Sequence, residues 1–87
     1  MKNLQDFLVE TRGGVSDLDR VVNTLALLDI TPVALKVERC SLGLTIDFRI
    51  AEGDRISRLL ANRLATMPAI LKTEIRLVRG QSEPSLD

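Results

Sequence analysis

The chain has 87 residues, 45% hydrophobic and 28% charged, a composition that suits one globular domain and excludes both a disordered chain and two separate cores. Twelve basic residues balance twelve acidic ones, so there is no broad positive field of the kind that draws a protein onto nucleic-acid phosphates. With no histidine and one cysteine the usual metal-ligand sets are missing, and no apolar run reaches the roughly 18 residues of a membrane span.

Residues 3–11, N-L-Q-D-F-L-V-E-T, carry Phe7 and Val9 without a helical stripe and read as a first strand. Gly13 and Gly14 then turn the chain. Ser16-Asp17-Leu18-Asp19 follows as an S-x-x-D variant of the capping box, so a first helix is expected to start near Ser16. Leu18, Val21, Val22, Leu25 and Leu28 recur at three- and four-residue steps and form its apolar stripe, until Thr31 and Pro32 stop it. A second strand from Pro32 to Glu38 sets Val33, Leu35 and Val37 on one side, and proline at its head suits a sheet edge.

After a turn over Arg39 to Ser41, the residues Leu42, Leu44, Ile46, Phe48 and Ile50 alternate with Gly43, Thr45, Asp47 and Arg49 in a long third strand. Asp54 is expected to cap a second helix with Ile56, Leu59, Leu60, Leu64 and Met67 along its stripe, ended by Pro68. Thr73, Ile75 and Leu77 then alternate with charged residues in a fourth strand. Residues 1–79 thus form one domain, and the polar tail 80–87 is expected to be unstructured. The order βαββαβ predicts an α+β, ferredoxin-like fold: two helices on one face of a four-stranded antiparallel sheet, with the first and third strands central.

That fold hosts many activities, so function must come from particular residues. The glycine pair lies where a strand runs into a helix N-terminus, and Arg12, Gly13, Gly14, Val15, Ser16 and Asp17 are the candidate binders of a carboxylate or a small anion. The same glycines also read as a plain turn, and neither phosphate-loop glycine motif is present. Phe7 and Phe48 sit on the two central strands, where RNA-binding modules display aromatics, but Phe48 shares its phase with Leu44 and Ile46 and belongs to the core. R-G-G-V-S is similar to an acylphosphatase phosphate loop, without an asparagine on the third strand to orient water. No nucleophile, base and orienter occur as a set, so no enzyme is expected. Cys40, in a turn, reads as an unreactive thiol. The apolar Leu27 shares a helix face with Arg20, Asn23 and Thr24, and is a candidate partner contact.

V-E-T-R-G-G-V-S-D-L-D-R-V-V-N-T-L, with T-I-D-F-R-I and M-P-A-I-L-K-T-E-I, resembles the ACT domain over residues 4–78. Within that family it looks most like the short regulatory subunits of acetohydroxyacid synthase (acetolactate synthase), isozyme II type. The resemblance implies a non-catalytic subunit without a cofactor, which binds the large thiamine-diphosphate catalytic subunit and activates it in branched-chain amino-acid biosynthesis. Valine-responsive relatives carry N-x-P-G-V-L at the loop, where this chain reads T-R-G-G-V-S-D-L; the missing asparagine argues against a valine response. A stand-alone amino-acid sensor using residues 12–17 is the alternative.

A homodimer through the edge strand is expected, with Val33, Leu35 and Val37 at the contact, and Leu27, Asp47 and Arg49 are assigned to partner contacts. The lone Cys40 and an opening without a signal-like leader point to the cytoplasm.

Overall fold

The computed structural model describes residues 3–77. The elements are β1 (Asn3–Thr11), α1 (Val15–Leu27), β2 (Ala34–Arg39), β3 (Leu44–Glu52), α2 (Asp54–Ala65) and β4 (Ile70–Leu77). The four strands form one antiparallel sheet in the order β2-β3-β1-β4, so β1 and β3 are central and the fold is the ferredoxin-like α+β arrangement read from the sequence. Residues 80–87 lie outside the described part of the chain.

The register explains where the core sits. Paired residues in an antiparallel ladder project to the same face, and Phe7 faces Phe48 while Val9 faces Ile46. The two rings stack with centroids 5.1 Å apart and planes 8° from parallel. Both are buried, along with Val21 and Leu25 of α1, Leu60 and Leu64 of α2, Ile46 and Ile50 of β3, and Ile30 of the α1–β2 connection. Two helices do not cover four strands, however. Leu35 and Val37 of β2 and Ile75 of β4 project to the helix side, opposite Phe48, Ile46 and Phe7, yet remain 45%, 36% and 47% exposed.

The helices begin at Val15 and Asp54, as the sequence suggested, but the capping residues differ. Gly14 and Gly53 are the N-caps, neither helix start has a side-chain cap, and Ser16 and Asp54 lie inside the first turns. Glycine suits the cap conformation as well as serine does in many helices and leaves no side chain to announce it. The end of α1 also differs: the helix stops at Leu27, well before Pro32. Ile30 N–H donates to Leu25 O and Asp29 N–H to Ala26 O, the paired bonds of a Schellman stop, with Asp29 in the left-handed region at φ 58°. Ile30 and Leu25 are both buried, the apolar contact that accompanies this stop.

Other departures concern coverage. Val22 and Leu59, placed on the helix stripes by periodicity, are each 41% exposed, and Leu42 leaves the β3 alternation for the hairpin turn, where it is 68% exposed. Phe48→Ala is expected to cost about 3–5 kcal/mol, a large share of the roughly 5–15 kcal/mol available to a domain. Urea unfolding of the variant should show little or no folded baseline.

Candidate functional site

The β1–α1 loop and the β2–β3 hairpin meet at one end of the sheet, because Thr11 pairs with Leu44 and Arg39 with Leu44 on its other side. Gly13, Gly14 and Val15 form one wall of a shallow cavity of about 650 Å³, and Arg39 to Leu44 form the other. The approach of the two segments depends on glycine. A Cβ on Gly43 would lie 2.8 Å from the Arg12 carbonyl carbon and overlap the Thr11 carbonyl oxygen. The loop is tied on its far side as well, by Arg12 N–H donating to Ala69 O at 3.0 Å.

Of the six loop residues named from the sequence, Arg12, Gly14, Val15 and Ser16 are exposed, Gly13 is half-buried and Asp17 is buried at 6%. Asp17 is turned against the loop glycine. Its side chain packs against Gly13, where a Cβ would stand 2.9 Å from its Cγ and overlap its Oδ2, and that oxygen has no hydrogen-bond partner among the described residues. The carboxylate lies in the first turn of α1, where the helix dipole favours negative charge, while Asp17 N–H is already bonded to Gly14 O at 2.9 Å. A carboxylate of the protein thus lies beside the first turn of α1, against Gly13, without a side-chain hydrogen bond capping the helix.

The structure adds Cys40 to this region. It is exposed at the hairpin, and hydrogen bonds from the Leu42 backbone first, then from the Thr45 side chain, hold its thiol below the usual range. The turn position was legible in the sequence, whereas the nearness of Thr45 to the thiol follows from the hairpin, in which Thr45 pairs with Glu38.

The expected partner contacts fall on different surfaces. Leu27 is 70% exposed on α1 and Val33 is 61% exposed just before β2, where its N–H donates to Arg49 O at 2.7 Å. Leu35 and Val37 sit on the helix side of β2, and Asp47 is exposed on the open side of the sheet. Arg49 is already engaged: its Nε and Nη2 donate to the two Asp6 carboxylate oxygens at 2.7 and 3.2 Å, and this pair pushes the guanidinium pKa up. Around it the open sheet face is a mosaic of both signs, with Lys72 and Arg76 near Glu74 and Lys36 near Glu38.

Among the described residues no three or more His, Cys, Asp or Glu side chains are grouped to hold a metal, and no helix is long and apolar enough to cross a membrane. No protein-family model matches the chain, and no curated protein matches it.

Gly43→Ala should destabilise the fold by about 1–3 kcal/mol, since backbone must move to admit the methyl group. Gly13→Ala should cost less than Gly43→Ala, since the Asp17 side chain can shift where backbone cannot, and less still in an Asp17→Ala background, which a double-mutant cycle of urea midpoints measures. Alkylation of Cys40 followed against pH should show a midpoint below that of an ordinary thiol, and Thr45→Val should move the midpoint upward.

Proposed function

We propose that this chain is a non-catalytic regulatory subunit of ACT type that activates a thiamine-diphosphate-dependent acetohydroxyacid synthase in branched-chain amino-acid biosynthesis, in the cytoplasm. The observation that carries the reading is the contrast between a filled loop and open apolar surfaces. Asp17 fills the loop beside the first turn of α1, whereas Leu27, Val33, Leu35 and Val37 stand exposed without partners among the described residues. Such a surface suits protein contacts better than effector capture. The sequence resemblance supplies the identity of the partner.

Activation then rests on binding alone. A subunit that contributes no reacting group raises a rate by binding the active conformation of the catalytic subunit more tightly than the inactive one. A tenfold population shift corresponds to about 1.4 kcal/mol of differential affinity, within the reach of one well-placed leucine. Arg49 would serve mainly by fixing the sheet face through Asp6, leaving Leu27 and Asp47 as the freer contacts.

The second reading, a stand-alone amino-acid sensor, draws on the cavity between Gly13–Val15 and the Arg39–Leu44 hairpin. One pair of measurements separates the two. The chain added to a catalytic subunit should raise acetohydroxy-acid formation severalfold, Leu27→Asp should weaken that effect while the fold survives, and valine calorimetry should show no binding. Tight valine binding that protects residues 13–17 in a shift titration, with no synthase activated, would favour the sensor.

A further inference from the structure

The outer face of α2 carries positive charge that nothing among the described residues answers. Arg55, Arg58, Leu59 and Asn62 recur at helical spacing on the side opposite the buried Ser57, Leu60 and Leu64, and Arg63 borders the same face. All five are exposed. Every ion pair among the described residues lies on the sheet instead: Asp6 with Arg49 across β1 and β3, Lys36 with Glu38 on β2, and Glu74 with Lys72 and Arg76 on β4. Arg55, Arg58 and Arg63 take part in none of them.

The stability of the helix does not account for this placement. Arg55 stands in the first turn, where a cation faces the positive end of the helix dipole. Asp54 precedes Arg58 by four residues, an order and spacing that favour an ion pair on a helix surface, yet the two are not paired. Arg63 alone suits its position, in the last turn. Leu59 is 41% exposed on this face, and it shares a shallow depression of about 530 Å³ with Asp54, Arg55, Arg58 and Asn62.

Charge and chemistry together select the occupant. Guanidinium groups fork onto carboxylates, and an exposed leucine set among them calls for an apolar side chain between those carboxylates. A nucleic-acid backbone brings phosphates but nothing apolar for Leu59, and a chain of zero net charge adds no wider positive field to hold it. A membrane surface needs a helix with a broad apolar side turned outward, which one leucine does not make. The helix rises about 12 Å from Arg55 to Arg63, which matches the reach of about four residues of extended chain.

We infer that the outer face of α2 docks a short acidic segment of a partner protein, in which an apolar side chain covers Leu59 and flanking carboxylates meet Arg55, Arg58 and Arg63. This surface is separate from the glycine loop, from Leu27 and from β2. In the synthase reading the segment would belong to the catalytic subunit, but the inference stands apart from that reading, since its test needs no catalytic subunit.

Titration of the whole chain with the end-blocked peptide Glu-Glu-Leu-Glu-Glu, followed by amide chemical shifts at low salt, tests it. Millimolar peptide should move the signals of residues 54–63 and leave those of residues 13–17 and 34–39 in place. Arg55→Glu combined with Arg58→Glu should weaken binding about tenfold or more. A peptide with serine in place of leucine should bind more weakly to the wild type, and Leu59→Ser should remove that difference. Arg55→Glu puts an acid into the first turn, so its melting temperature should hold or rise, which separates lost binding from lost folding. Absence of shifts at millimolar peptide, shifts centred outside α2, undiminished binding by the folded double variant, or equal binding of the leucine and serine peptides would each overturn the inference. So would duplex DNA or phosphatidylserine vesicles that bind this face where the peptide does not.

Discussion

The stacking of Phe7 on Phe48 is the contact on which the other features depend. The two rings stand directly opposite on the central strands, so a one-residue slip of β1 on β3 would send one ring to the open face and lose the largest contact in the core. Fixing that register fixes the rest of the ladder. It brings Asp6 opposite Arg49, where their side chains form a forked ion pair, and Thr11 opposite Leu44, where the loop and the hairpin meet. The uncovered edge follows too, since a core centred on β1 and β3 draws the helices inward and leaves β2 with its apolar side half exposed.

Much of the fold was legible because its strongest signals are periodic. β1 occupies the limits its composition suggested, and the alternation through Ile46, Phe48 and Ile50 marks the buried face of β3. Periodicity reports which residues share a face and says nothing about whether that face is covered. Val22, Leu59 and Ile75 share faces with core residues and are nonetheless exposed, because coverage depends on how far two helices reach across four strands. The cap residues were misread for a different reason: serine and aspartate advertise capping with an acceptor side chain, whereas glycine takes the cap position with no side chain to mark it.

The site was legible as a location, and the structure adds how its charged groups are placed. Gly13 and Gly14 do mark the junction of β1 and α1, but the role of Asp17 follows from a three-dimensional coincidence, the empty Cβ position of Gly13 admitting a carboxylate four residues later. Residue types alone made Arg12 and the helix start candidate binders of a carboxylate, with Asp17 among the candidates. Folding leaves Arg12 exposed and buries the Asp17 side chain beneath the turn.

The pairing of Gln5 with Leu77 has a consequence for how the domain can be built into other chains. Because β1 and β4 are antiparallel neighbours, the backbone enters and leaves the sheet at the same end, and the glycine loop and Cys40 hairpin occupy the opposite end. Entry and exit points this close let a folded unit be spliced into a loop of a host protein, or have its ends joined and a new opening cut elsewhere, without rearranging its strands. The topology makes this a portable module, whose attachment point and loop end are separated by the length of the central strand.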